Sequence, residues 1–402
     1  MSFQQGLSGL NAAAKGLDAV SNNVSNAATV GFKSASAQFA DVFAASIAGG
    51  GSGQIGIGVN LSQVKQAFTQ GNISVTNNPL DVAINGGGFF RMSDNGAITY
   101  TRNGQFLVNK DGYVVNSAGS HLTGYVANAA GIIVPSSPTD ILISNADLVP
   151  NATTTGAIGL NLDSRETTPP AFVYTDPTTY NSSTAMTVYD SLGNSHVMTL
   201  YFRKTAANTW QVYTGLDGAA PAPAAGSTMT FTPAGAVNTG GTLGPLAFAV
   251  TTGANALSIT LDLTTATQFG STFGVNSLTQ DGYTSGRLSG LSIADNGVIQ
   301  GRYSNGQSRD LGQIVLANFA NPNGLQSLGG NQWSETAASG QPLVGEPNSG
   351  SLGALQSAAV EEANIDLTAE LVNMITAQRN YQANAQSIKT QDAVMQTLVN
   401  LR

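Results

Sequence analysis

The sequence predicts a multi-domain, mainly β protein. Its N- and C-terminal segments are expected to form an α-helical coiled-coil domain, and a β domain between them carries a second β domain as an insert. Three observations lead there. Both chain ends are amphipathic at coiled-coil spacing. Asn-Gly and Asp-Gly pairs punctuate alternating apolar runs in the middle. Composition shifts towards Thr, Ala and Pro over residues 146–284.

Residues 1–26 read as the first helix. Leu7, Leu10, Ala14, Leu17 and Val24 fall at alternating three- and four-residue steps, with Ser21 in the remaining slot. Gly6, Gly9 and Gly16 weaken that helix. Residues 27–70 read as an irregular connector, in which Gly49, Gly50, Gly51 and Gly53 form a candidate hinge and short strands follow from Ile55 to Phe68. The middle β domain is assigned to 71–145 plus 285–363. Its hairpin signals are Asn95-Gly96, Asn103-Gly104 and Asp111-Gly112. The stretch Asp295-Asn296-Gly297 to Asn305-Gly306-Gln307 resembles Asp94-Asn95-Gly96 to Asn103-Gly104-Gln105, which ties the two halves to one domain. Between them, 146–284 reads as an outer β domain with strands at Ala185–Tyr189, His196–Phe202 and Trp210–Tyr213.

Residues 354–402 contain neither Gly nor Pro. Asn364 or Asp366 can cap a helix running from Leu367, so 364–402 joins 1–26 in the terminal domain. Leu371, Met374, Tyr381, Ala385, Ile388, Met395 and Leu398 form its apolar seam. A lone helix with so narrow a stripe buries too little to be stable in water. The two ends are therefore expected to pair with each other or with copies; the alternative is that both pack on the β domains of their own chain.

Composition narrows the function. Charged residues make up 9% of the chain, against about 25% in a typical soluble domain. Gly, Ser, Thr, Asn and Gln fill the gap, a surface that repels its own copies weakly. A formal net charge of -8 without basic clusters speaks against nucleic acid as a partner. No apolar run is long enough for membrane insertion, and the N-terminus lacks the pattern of a cleaved signal peptide. There is no Cys, which excludes thiolate chemistry and disulfides. No catalytic, cofactor or metal site is expected. His121 and His196, without clustered carboxylates in sequence, read as structural. Gly51-Ser52-Gly53-Gln54-Ile55-Gly56 fits a dinucleotide fingerprint but lacks the flanking strand and helix, so it reads as linker. Asn109-Lys110-Asp111-Gly112 reads as a turn rather than a calcium loop.

A family resemblance adds to this. Ser21 to Lys33, with Asn22, Asn23, Asn26, Gly31, Phe32 and Lys33, resembles the N-terminal signature of flagellar rod and hook proteins. Ile365-Asp366-Leu367, then Met374 to Asn384 with Gln378, Arg379, Tyr381 and Asn384, ending Thr397 to Arg402, resembles their C-terminal signature. Leu80–Ile84, Gly88-Phe89-Phe90 and Tyr100 to Phe106 resemble their shared β domain. The resemblance implies a non-enzymatic subunit of a bacterial flagellar polymer, without cofactors. The insert points to the hook branch: a short, curved, flexible tube, a universal joint passing torque from rod to filament. Implied partners are copies of itself, the distal rod protein, the hook cap and hook-filament junction proteins, and the flagellar type III export apparatus. The implied location is extracellular. It also implies that the end helices order only on assembly. The rival readings are a distal rod protein, which should lack 146–284 as an independent domain, and a secreted β-rich carbohydrate-binding protein, which should have a groove lined with carboxylates or aromatic rings; only Trp210 and Trp333 are available as tryptophans.

Overall fold

A computed structural model of the chain describes residues 2–42, 56–128 and 131–400. The candidate hinge Gly49, Gly50, Gly51 and Gly53 lies outside the described residues, as do the first five positions of the dinucleotide-like stretch. The chain divides into two compact units. One is Met1–Ser144, Gly290–Arg302 and Ser308–Arg402; the other is Asn145–Ser289 with Tyr303–Gln307.

In the first unit, the Gly- and Pro-free C-terminal stretch forms helix α2, Leu367–Asn400, about 51 Å long at 1.5 Å per residue. Asp366 caps it, its Oδ1 accepting from Thr368 N at 2.9 Å and Ala369 N at 3.2 Å. Helix α1 spans Ser2–Ser25 despite its three glycines. It stops where Asn26 turns its amide and side chain back on Asn22 O. The connector expected to be irregular holds an antiparallel pair, β1 Ala35–Val42 and β2 Gly58–Gln66, bulged between Gln38 and Phe39. β2 falls inside the Ile55–Phe68 stretch expected to hold short strands, whereas β1, largely exposed, lacks a clean two-residue alternation and carries no such mark.

The body of this unit is a sheet drawn from both sides of the insert. Its main path runs Leu288–Ile293, Val298–Tyr303, Ser308–Ile314, His121–Val126, Phe89–Asp94, Ala97–Thr101, Gln332–Ser334 and Gln326–Gly329. Phe89, Tyr100, Phe319 and Trp333 form an aromatic core: Phe68 meets Phe89 and Trp333 edge to face, Phe89 meets Trp333, and Tyr100 meets Phe319. Two short ladders then bring the chain ends together. Val82–Asn85 pairs with Ala354–Ser357, and Ile73–Val75 with Ala359–Glu361.

The turn chemistry is mostly as the residues dictate. Asn95 (φ 50°) and Gly96 (φ 92°) close a two-residue hairpin whose flanking pair is Asp94 and Ala97. Asn109 to Tyr113, with Gly112 at φ 90°, closes a longer one. Asn103-Gly104 does not turn a hairpin. A side chain on Gly104 would strike the carbonyl oxygen of Val82, whose amide donates to Gly104 O. That glycine serves close backbone approach, whereas Asn305-Gly306 is a true turn (Gly306 φ 80°). The two stretches are therefore alike in their first turn, at Gly96 and Gly297, but not in their second.

The second unit is two five-stranded sheets sharing one core. One is the meander Ser182–Tyr189, Ser195–Ala206, Thr209–Leu216, Ser227–Phe231, Val237–Thr239. The other runs Thr242–Phe248, Leu257–Asp262, Thr155–Asp163, Thr267–Phe269, with Gly274–Gln280 also on Thr155–Asp163. Alternate residues point inward: Met198, Leu200 and Phe202 from one sheet, Ile158, Leu160 and Leu162 from the other.

Candidate assembly site at the chain ends

The two helices lie side by side and antiparallel. Gly6 faces Ile388, Gly9 faces Asn384, and Asn23 Nδ2 donates to Glu370 Oε1 at 3.2 Å. A Cβ on Gly6 would sit 3.1 Å from Ile388 Cγ1, and one on Gly9 2.8 Å from Asn384 Oδ1. Two of the three glycines that weaken α1 as an isolated helix, Gly6 and Gly9, are therefore the positions that let α2 approach, while Gly16 faces Phe39. Beside them Ala12, Ala13, Gly16, Phe39, Asn373, Ala377 and Asn380 line a cleft of about 570 Å³.

The predicted seams are only partly covered in this chain. Leu10, Ala14, Leu17 and Val24 are half-buried, and Leu7 is exposed. On α2, Met374, Ala385 and Ile388 are half-buried, while Leu371, Tyr381 and Met395 are exposed. The side chain of Leu398 lies outside the described residues. The half-buried stripe on α2 reads Glu370, Met374, Ala377, Asn384, Ala385, Ile388 and Gln391, which mixes three of the predicted seam residues with polar ones that hydrophobicity does not mark.

The signature residues fall into three groups. Asn23, 2% exposed, brackets Ala35: its Nδ2 donates to Ala35 O and its Oδ1 accepts from Ala35 N, both at 2.9 Å. This fixes the end of α1 to the start of β1. Asn22 and Asn26 end the helix. Gln378, Arg379 and Tyr381 are exposed, and Asn384 lies against Gly9.

Gly31, Phe32 and Lys33 enter the body of the unit, where the structure holds a feature that no sequence pattern marks. Lys33 Nζ lies 2.6 Å from Glu361 Oε1, with both side chains fully buried. Arg102 Nη1 lies 3.1 Å from Glu361 Oε2. Lys33 Nζ also donates to Thr69 O (2.7 Å), Gly71 N to Glu361 Oε1 (2.8 Å), and Arg102 Nη2 to Gly86 O (2.7 Å). Gly31 N donates to Glu361 O at 2.8 Å. Arg102 leans over the Phe89 ring at 5.6 Å. Burial pulls Lys33 below its ordinary pKa, against the opposing pull of Glu361, and acts likewise on Arg102. Asn364, the other candidate cap, works here instead, joining Ser34 N to Ala67 O. Sequence reasoning misses this cluster because its members are 259 and 328 positions apart.

Both histidines do have carboxylate partners, contrary to expectation. His121 Nδ1 lies 2.7 Å from Asp140 Oδ2, and its ring stacks on Tyr113. His196 lies 2.6 Å from Asp217 Oδ2 through Nδ1 and 3.3 Å from Asp190 Oδ2 through Nε2. The partners come from returning strands and turns, so spacing along the chain hid them. Burial disfavours the His196 cation, but Asp217 and Asp190 outweigh it and raise the pKa. Among the described residues no group of three His, Asp or Glu is placed to hold a metal.

Four family descriptions match, in chain order. Flagella basal body rod protein matches residues 3–33, and flagellar hook protein FlgE/F/G D1 domain 83–149. Flagellar basal body protein FlaE D2 domain matches 161–283, and flagellar basal body rod FlgEFG protein C-terminal 356–401. With paired end helices carrying β units, these matches define a structural protein of the flagellar rod and hook class. Within that class, the chain belongs to the flagellar hook protein FlgE family. It is 45% identical to the flagellar hook protein FlgE of Salmonella typhimurium and 44% to that of Escherichia coli, over all of both chains in each case. The protein of Brucella suis is 34% identical over all of this chain and 98% of its own. Among solved structures, the Helicobacter pylori flagellar hook protein FlgE2 shares the fold, with a TM-score of 0.51 at 14% identity, covering 72% of this chain and 100% of that one. This is a family of structural proteins, not enzymes.

Proposed function

We propose that this chain is the repeating subunit of the bacterial flagellar hook, a curved, flexible tube outside the cell that passes motor torque from rod to filament. The carrying observation is the pair of end helices and what it leaves open. Leu7, Leu371, Val372, Ile375, Val394 and Met395 are exposed on helices that already have their intrachain partner. Neighbouring copies are the occupants that a polymer supplies, and burying the exposed half of such side chains contributes about 1 kcal/mol each. The distal rod, hook cap and hook-filament junction proteins are the partners proposed at the tube ends, and the flagellar type III apparatus is its route out, without a cleaved signal peptide. The distal-rod reading is weakened by the second unit, a complete two-sheet domain. A carbohydrate-binding reading is weakened because Trp210 and Trp333 are both core residues whose indoles donate to Gln268 and Gln66. The test removes residues 1–24 and 364–402. The trimmed chain should stay a soluble monomer with folded β units and form no tubes in electron micrographs; polymerisation without the ends refutes the proposal.

A further inference from the structure

Lys33, Arg102 and Glu361 have no part in the helix pairing, and of the three only Arg102 touches the aromatic core, over the Phe89 ring. They bring together four separate stretches: the exit from α1 (31–33), the approach to the first body strands (69–71), the loop at Arg102, and the last strand before α2 (359–361). The cluster is unbalanced. Two cations, with side chains 0% and 4% exposed, share one carboxylate. Glu361 is the only carboxylate that pairs with either among the described residues. Arg102 Nε, also buried, has no hydrogen-bond partner. Isolated buried charge is far costlier than a buried pair, so the two cations cannot be enclosed before the anion is in place.

Glu361 is also the last of the three in chain order, so until its strand has docked the segments carrying Lys33 and Arg102 cannot close. Its strand, Ala359–Glu361, pairs with Ile73–Val75, while Glu361 O takes the Gly31 amide and Asp81 O takes the Ala359 amide. We propose that Glu361 is a folding latch: its carboxylate licenses closure of the first unit, so the segment joining α1 to the body stays open until the C-terminal strand arrives. Neither end helix is then presented in its assembled geometry by an incomplete chain. The latch itself follows from the buried charges alone. Its consequence for polymerisation rests on the proposed hook function.

The test uses the full chain and two isosteric variants. Glu361→Gln keeps the size but removes the charge and turns one of the two accepting oxygens into a donor. It should lower the unfolding midpoint of the first unit by about 10 °C, leaving the unit at 145–289 unchanged. It should also abolish exchange protection of the Gly31 and Gly71 amides. Adding Lys33→Met to Glu361→Gln removes one stranded cation and should recover part of the lost midpoint. In pulse-labelled refolding of the unaltered chain, Gly31, Gly71 and Val82 should gain protection no earlier than Ala359 and Glu362. Protection of the first three before the last two, near-unaltered protection in Glu361→Gln, or no recovery in the double variant overturns the latch. Loss of tubes with the latch intact would count against the hook reading instead.

Discussion

Gly31 offers a quantitative test of how the end helices are joined to the body. Its φ is +70°, and a Cβ there would meet the Asn103 amide nitrogen at 2.6 Å, the Arg102 carbonyl carbon at 2.7 Å and Asn103 Cα at 2.9 Å. All three are backbone atoms, so no side chain can swing aside. In Gly31→Ala the left-handed conformation costs about 1 kcal/mol. Forcing two backbone segments apart adds about 2 kcal/mol, in the range of core overpacking. The narrowed unfolded ensemble returns about 0.5 kcal/mol. The net loss of roughly 2.5 kcal/mol corresponds to about 5–10 °C in the midpoint of a unit this size. The displacement also pulls the Gly31 amide off Glu361 O and moves the Arg102 loop. Gly96→Ala is the control: its φ is +92°, but a Cβ there would meet nothing within 4 Å, so only the conformational cost less the unfolded-state return applies, about 1–2 °C. Differential scanning calorimetry of both full-length variants reads the difference. Equal shifts would refute the claim that the Arg102–Asn103 backbone is rigidly packed against this turn.

Other outcomes follow from the same geometry. Leu371→Ser and Ile375→Ser, at positions 48% and 51% exposed, should change monomer stability by less than about 0.5 kcal/mol yet abolish tube formation in electron micrographs. Gly9→Leu should separate α1 from α2, since its first added atom already meets Asn384; the loss should show as lower helical circular dichroism with the β units intact. The unit at 145–289 should respond to pH from both sides. The raised pKa of His196 gives stability that is full below about 6.5 and lost as pH rises through its folded value. Desolvation opposes ionisation of Asp190 and Asp217, but hydrogen bonds outweigh it, so both titrate low; their contribution is full above about 3.9 and lost as pH falls through the folded values. The midpoint of that unit should therefore peak between those limits, and His196→Gln should flatten the alkaline side.

The elements legible in the amino-acid order are those with local causes. The absence of Gly and Pro after Gly353, with Asp366 ahead of Leu367, dictates α2 because propensity and capping act within a few residues. Asn95-Gly96 dictates a hairpin because two positive φ angles suit few other residue pairs. The change in composition at 146–284 announced a separate β region, and heptad spacing announced that the ends are helical.

What those elements face was settled by long-range packing. It turned Gly6 and Gly9 from weaknesses in a helix into the surface that admits α2, and it left Leu7 and Leu371 open. It made Gly104 a point of close approach although its neighbour Asn103 spells a turn. It paired Lys33 with Glu361 across almost the whole chain and gave each histidine its aspartate. Periodicity and turn chemistry are properties of adjacent residues. Burial and ion pairing depend on which distant segments the fold brings within a few ångströms, and on the dielectric they then share.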